Sequence, residues 1–413
     1  MRLGIDFGTT NSAVAVRRGN RAELVPLSAD EFTQRTVIHC PIEGGPLFGN
    51  EAFKSYIDQD LTGRFLRSLK SFLSQDVPPT TIDGKRYEFV DLIARYITFL
   101  IERSVAVLGE KPDEIVMGRP VNFASNQVDS DKAERTLAEA LRRAGVTNYR
   151  FQLEPVAAAH KYESTASNEH LVLVGDFGGG TSDFAILRVG PERRQLNDRT
   201  PDILAVDGVA KAGDHIDGHF MDCFLLEAFG KNAPFRKRYT NEIDLWKSPV
   251  HQQIKRLFKL HRMRAEPLDR GLKFMQTRLV NPVFAERLHR LIFDDLGYPL
   301  AWQIEESKKA LSASPSTTFQ FHEFYSDRLN FETTVGLTEF ADSCAATVHE
   351  YDAAVSRTLA MAGVQESDID SVFLTGGTSQ LPFLRASFAV RFGEEKISSS
   401  DALTSVCIGL ALS

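Results

Sequence analysis

The chain has 413 residues and a mass of 46.1 kDa, roughly two to three times a usual single domain, which excludes a disulfide-stapled miniprotein and predicts two lobes with separate cores. Hydrophobic residues at 43% and charged residues at 25% exclude disordered, collagen-like and coiled-coil chains, and a net charge of -7 excludes a protein whose main business is coating nucleic acid. No apolar run approaches the ~20 residues of a membrane span, and the opening Met1-Arg2-Leu3-Gly4-Ile5-Asp6 has no signal-peptide core, so a cytoplasmic protein is expected.

Residues 2–7 and 12–17 read as strands joined through Gly8-Thr9-Thr10-Asn11, and Arg18-Gly19-Asn20 turns the chain into a third run over 22–26. Leu61, Phe65, Leu66, Leu69, Phe72 and Leu73 have helical spacing, as do Leu92, Tyr96, Ile97, Leu100 and Ile101, and 113–117 reads as a buried strand. A helix over 132–144 stops at Gly145, followed by a strand over 149–153, a helix opening at Pro155 and an apolar strand over 171–174. The segment 223–300 carries no strand signal and reads as helices broken at Pro249, Pro267, Pro282 and Pro299. Its basic stretch, Lys255 to Arg278, is interleaved with Leu257, Phe258, Leu260, Leu268, Leu272 and Phe274, the pattern of amphipathic helices and not of a nucleic-acid patch. Residues 372–374 form another buried strand, ending in Thr375-Gly376-Gly377-Thr378, and one more helix closes the sequence. Cys40, Cys223, Cys344 and Cys407 are far apart without a CxxC pair and read as buried free thiols.

The start of the chain returns in the middle. Gly4 to Ala15 (GIDFGTTNSAVA) is echoed by Val174 to Ala185 (VGDFGGGTSDFA), 170 residues later, which implies a duplicated α/β domain. A turn of glycines and hydroxyl residues between two strands exposes backbone N–H groups in a concavity that suits phosphate oxygens. Asp6 and Asp176, each ending a strand, offer hard carboxylate oxygens suited to hydrated Mg²⁺. No GxxxxGK[ST] loop is present, no His-Arg-Asp loop precedes the Asp-Phe-Gly triplets, and a strand, not a helix, follows 178–183. P-loop, protein-kinase and dinucleotide readings therefore fail. His215 and His219 stand four apart but lack a third ligand framework, so a helix opening after Gly213 is expected instead of a transition-metal site.

These motifs resemble the actin and heat-shock ATPase superfamily, and within it the DnaK-type chaperones and their YegD-like branch. Gly4 to Ser12 and Asp176 to Asp183 are similar to the two phosphate loops, and Leu153 to Ala159 (LEPVAAA) to the connecting Glu-Pro helix. Ile304 to Ser312 (IEESKKALS) resembles the nucleoside-clasping helix, and Phe373 to Pro382 (FLTGGTSQLP) the adenosine loop. The resemblance implies an α/β, actin-like ATPase fold of two ribonuclease-H-like lobes around a nucleotide cleft. Lobe I would span 1–166 with 39–110 inserted, lobe II 167–397 with a mainly helical insertion at 214–335, and 398–413 would return to lobe I.

It also implies roles for residues. Asp6 and Asp176 would hold Mg²⁺ through water, and Gly8, Thr9, Thr10, Asn11 and Gly178, Gly179, Gly180, Thr181 would cradle the phosphates of ATP or ADP. Lys70 would be the catalytic lysine and Glu154 would sit near the attacking water, with Asp6, Asp176 and Thr181 completing the catalytic set. Gly213, Asp214, Glu305, Lys308, Lys309, Gly376, Gly377, Thr378 and Gln380 would bind the rest of the nucleotide. Two departures stand out: Gln380 replaces an arginine that stacks on adenine, and Leu403 replaces an aspartate, leaving Asp401 as a substitute. The sequence ends after the ATPase region, so the peptide-binding domain of the usual chaperone is not expected. The resulting expectation is a slow Mg²⁺-dependent ATPase, a DnaK/YegD-like conformational switch that engages unfolded client or partner proteins. An actin-like scaffold or filament and a small-molecule kinase of the same superfamily are the alternatives.

Overall fold

Runs of alternating or continuous apolar residues build the first sheet. β1 (Arg2–Phe7) and β2 (Asn11–Arg18) form an antiparallel hairpin in which Asp6 faces Ala13 and Phe7 faces Ser12; β3 (Arg21–Leu24) and β4 (Thr33–Arg35) pair with β2. On the other side of β1 lie the parallel strands β5 (Glu114–Arg119) and β6 (Tyr149–Leu153), in the order β6-β5-β1-β2-β3. Parallel neighbours need crossover helices. These are α1 (Phe89–Leu108), ahead of β5, and α2 (Gln127–Arg143), between β5 and β6. α2 opens where the Asn126 side chain accepts from the Asp129 N–H and is left through Gly145 at φ 78°. α3 (Glu154–Glu163) follows β6 directly, with Pro155 in its first turn. The structure is a computed structural model and describes residues 1–28, 31–59, 61–82, 84–196, 198–240, 242–322, 330–399 and 404–413.

The second sheet repeats the first. β7 (His170–Phe177), β8 (Ser182–Val189) and β9 (Ile203–Val209) are antiparallel, and β10 (Ser371–Thr375) and β11 (Ile397–Ser399) add in parallel beyond β7, in the order β9-β8-β7-β10-β11. α4 (Gly213–Phe220) follows β9 and α5 (Gly297–Leu311) lies within the insertion. α6 (Leu337–Ala362) and α7 (Pro382–Phe392) precede β10 and β11 as α1 and α2 precede β5 and β6. The final helix, α8 (Ser405–Leu412), returns to the first sheet.

Contacts divide the chain into two compact units, Met1–Gly213 with Thr347–Ser413, and Asp214–Ala346. The first unit holds both repeated sheets. One of its cores, built on Leu3, Ile5, Phe7, Tyr96, Ile97 and Leu137, lies under the first sheet. Another joins Val116 of β5, Val174 of β7, Ala157 and Ala158 of α3, and Leu410 of α8. Two glycines permit this crossing: a Cβ at Gly409 would lie 1.7 Å from the Ala157 carbonyl oxygen, and one at Gly4 would lie 2.4 Å from the Ala411 nitrogen.

The second unit contains helices Pro249–Gln253, Glu266–Arg278, Val283–Phe293 and α5, together with a hairpin at Ser316–Phe321 and Phe331–Gly336. Two expectations are corrected. The 223–300 segment is not all helical: Pro234–Arg236 and Ile243–Leu245 pair as a short hairpin, and Phe235 bridges to Leu279. Three-residue strands are too short to leave an alternation signal. Pro249, Pro267, Pro282 and Pro299 stand at helix starts instead of breaking helices, because a first-turn N–H has no helical partner to lose. In the first unit, the helix expected over 61–73 is instead a strand, Arg64–Arg67, paired with Val37–Cys40 and followed by a 3-10 turn, Leu69–Phe72. Left-handed backbone at Leu61 (φ 56°), Gly63 (φ 83°) and Ser68 (φ 53°) prevents a continuous helix.

All four cysteines are free; Cys40, Cys344 and Cys407 are buried, while Cys223 is exposed, contrary to expectation, because it faces outward from a helical turn. In the basic stretch, Lys273 pairs with Asp269 at 2.9 Å and Arg264 with Asp295, so part of its charge is locally neutralised. Among the described residues no helix is long and apolar enough to cross a membrane.

Candidate active site

The two hairpin turns of the first unit meet. A Cβ at Gly179 would lie 2.9 Å from the Thr10 hydroxyl and 3.0 Å from Thr9 Cβ, and one at Gly180 would lie 3.3 Å from the Thr9 hydroxyl. Without a side chain, Gly179 lets the second turn lie this close while the Thr9 and Thr10 side chains keep their places. Within the second turn the Gly178 N–H donates to the Thr181 carbonyl at 3.0 Å. The Gly178 carbonyl in turn accepts from the Gly213 N–H at 3.1 Å and from the Thr378 hydroxyl at 3.3 Å. Gly376, at φ 84°, passes so close to β7 that a Cβ would lie 2.2 Å from the Phe177 carbonyl oxygen. Gly376 and Thr378 are buried beside this turn, whereas Gly377 and Gln380 are exposed.

The acidic side chains converge with one cation. Lys70, on the 3-10 turn and not on the amphipathic helix that its spacing suggests, pairs with Glu154 at 2.6 Å, each side chain 9% exposed. Glu154 opens α3, and Gly118 on β5 makes room for it: a Cβ there would lie 3.2 Å from Glu154 Cγ. Burial, and then the Glu154 carboxylate, push Asp6 up to about 7 against the pull of Lys70. Asp176 is raised well above its ordinary value by burial and by Glu154, Asp183 and Asp6. Burial alone would lower Lys70, but Glu154 and Asp6 raise it, so it stays an ammonium ion.

Two residues with evident parts in this arrangement escape the motif reading. Asp183 faces Asp176 across the β7–β8 register and is buried; its carboxylate accepts from the Thr181 hydroxyl at 2.8 Å and the Val121 N–H at 2.9 Å, and burial with Glu154 pushes it up to about 7. The signal was available in the repeat, which has Ala13 where the second copy has Asp183. Gly118 left no signal, because its reason is a side chain on a different strand end.

The other expected residues lie in the Asp214–Ala346 unit. Lys308 pairs with Asp217 at 2.5 Å and Lys309 with Glu305 at 3.0 Å and Glu306 at 2.9 Å. Although burial would lower Lys308, Asp217, Glu305 and Asp214 raise it. Asp217, one turn beyond Asp214 on α4, is thus the half-buried partner that the motif reading omitted. His215 and His219 make an edge-on ring contact with centroids 5.0 Å apart, and among the described residues no group of three or more His, Cys, Asp or Glu is placed to hold a metal ion. Asp401 and Leu403 lie outside the described residues.

Asp6, Glu154, Asp176 and Asp183 stand around one lysine, and burial, followed by repulsion from the neighbouring carboxylates, raises the three aspartates. With no third ligand placed beside them among the described residues, Asp6 and Asp176 suit a divalent cation that keeps its water, since hard oxygens and retained water are what Mg²⁺ prefers. Two copies of one sheet, with abutting turns over these carboxylates, define the actin-like ATPase fold. A family model described as Hsp70 protein matches residues 70–232 and 299–413, and the chain belongs to the Hsp70 family. Its members are chaperone-type, ATP-binding ATPases that bind ATP and ADP, generally with Mg²⁺.

Proposed function

We propose that this chain is a Mg²⁺-dependent, slowly hydrolysing ATP switch of the DnaK type and of its YegD-like branch, working in the cytoplasm on unfolded client or partner proteins. The observation that carries the reading is the buried Lys70–Glu154 pair amid Asp6, Asp176 and Asp183 beneath two abutting glycine and threonine turns. In this reading 1–166 and 167–397 act as the lobes, 39–110 and 214–335 as their insertions, and 398–413 as the return to lobe I.

Backbone N–H groups of Gly8 to Asn11 and Gly178 to Thr181 bind phosphate oxygens, and the Lys70 ammonium offsets the charge that develops as the γ-phosphate leaves. Glu154 holds Lys70 with one carboxylate oxygen and orients the attacking water with the other. Asp183 fixes the Thr181 hydroxyl through its 2.8 Å hydrogen bond. Asp6 and Asp176 hold the hydrated cation, which when bound neutralises phosphate charge. Gly213, Asp214, Glu305, Lys308, Lys309, Gly376, Gly377, Thr378 and Gln380 bind the nucleoside end. Loss of the γ-phosphate removes contacts to one or both turns, and that change is the signal to the partner.

Calorimetric titration with ATP and ADP, with and without Mg²⁺, tests this directly. Micromolar, Mg²⁺-dependent binding is expected in the wild type and a weakening of at least about tenfold in Asp176→Ala. Equal binding by both proteins would remove Asp176 from the site. Release of ADP stimulated by a metabolite panel well above the water background would favour the kinase alternative.

A further inference from the structure

Beyond the phosphate turns themselves, each repeat carries a second layer built on a buried tyrosine. In the first copy, Tyr96 of α1 lies against Phe7 with ring centroids 5.8 Å apart and donates its hydroxyl to the Arg35 carbonyl at 2.8 Å. The same peptide presents the Thr36 N–H to the Thr10 carbonyl, inside the first turn, at 2.8 Å. In the second copy, Tyr351 of α6 lies against Phe177 with centroids 5.3 Å apart and donates to the Lys211 carbonyl at 3.3 Å. Two residues on, the Gly213 N–H donates to the Gly178 carbonyl, inside the second turn, at 3.1 Å.

The correspondence extends to the hydroxyl that follows each turn. Phe7 and Phe177, and Ser12 and Ser182, are each 170 residues apart, the offset of the repeat. The Ser12 hydroxyl bonds the Thr36 hydroxyl at 2.8 Å, and the Ser182 hydroxyl donates to the Lys211 carbonyl at 2.9 Å. α1 and α6 occupy the same topological place, each leading into the first parallel strand of its sheet. Both tyrosines are at most 1% exposed. A phenol held in this way fixes a strand-exit segment, and that segment closes the phosphate turn.

We propose that Tyr96 and Tyr351 are paired positioning residues, one per lobe, that hold the two phosphate turns in register for the nucleotide phosphates. The proposal rests on the nucleotide-site reading above. Neither tyrosine touches the substrate; each acts through a carbonyl and the N–H next to it or two residues beyond.

The test uses Tyr96→Phe and Tyr351→Phe in the full chain, which remove one hydroxyl and keep the ring. Mg²⁺-ADP affinity, kcat/KM for ATP and unfolding without nucleotide are measured, with Tyr56→Phe as a control, since Tyr56 is buried against Phe65 and His39 and not against a turn. Each latch variant is expected to raise the ADP Kd about fivefold and to lower kcat/KM about as much, the loss of one neutral hydrogen bond, while the control stays within about twofold whatever its stability. If either latch variant does not fold, Ser12→Ala or Ser182→Ala loosens the same segment and is expected to weaken ADP in the same way. Variants that unfold more readily yet bind ADP with wild-type Kd overturn the proposal, as does an effect in only one lobe. A wild type that binds no ADP at all instead overturns the nucleotide-site reading.

Discussion

Lys70 and Glu154 sit 2.6 Å apart with almost no exposure, so each depends on the other to be tolerable in the interior. Lys70→Ala leaves Glu154 beside three carboxylates with no cation, and is expected to lower single-turnover phosphate release at least about 100-fold. Urea unfolding of the same variant is expected to show a loss of about 3 kcal/mol. Asp183 gives a pH signature. A carboxylate with a folded pKa of about 7 and an ordinary value of 3.8 stabilises the fold most below about pH 4, and that contribution is lost as pH rises to about 7. Asp183→Asn keeps an acceptor for the Val121 N–H without the charge. Its stability relative to wild type should therefore rise by at least about 1 kcal/mol between pH 5 and pH 8, read from paired denaturant curves. A constant difference would mean that Asp183 is already ionised at pH 5. Asp183 also shows what motif matching overlooks, because it sits inside a recognised loop and, beyond its neighbour Thr181, its importance comes from Glu154 and Val121, which are far from it in sequence.

At the scale of elements, the paired hairpins are readable in the sequence because a strand, an aspartate, a glycine turn and a second strand are contiguous. The 149–153 strand and the helix at Pro155 are equally local and match the observed bounds closely. The 61–73 segment is different: its apolar spacing fits a helix, but pairing with Val37–Cys40 and three left-handed residues draw it into a strand and a short turn. Non-local pairing overrides periodicity there. The crossing of α3 and α8 depends on a missing side chain. Gly409→Ala puts a methyl 1.7 Å from the Ala157 carbonyl oxygen, with backbone on both sides, so the helices must separate. A loss of about 3 kcal/mol or more is expected in chemical denaturation; a loss below about 0.5 kcal/mol would mean that α8 can shift without cost.

For the whole molecule, ligand linkage offers the broadest check. If ATP and ADP bind the folded protein alone, saturating ADP with Mg²⁺ at about 100 times Kd should stabilise it by about 2.7 kcal/mol. Chelation with EDTA should remove most of that gain, because Asp6 and Asp176 would then face the phosphates with no cation between them. A thermal shift indifferent to EDTA would exclude Mg²⁺ from the site. By itself the sequence determined the repeated hairpin, its two turns of glycine and hydroxyl residues, the glycines at 376 and 377 and the family resemblance, all of which lie in contiguous residues whose spacing carries the information. Tertiary structure alone decided that the turns abut, that Lys70 leaves a helical pattern to meet Glu154, that Lys308 is matched by Asp217, and that Tyr96 and Tyr351 donate to the carbonyls of Arg35 and Lys211. Those relations depend on which strands and helices come together, and what fixes them is the burial of rings and the pairing of opposite charges between segments far apart in the chain.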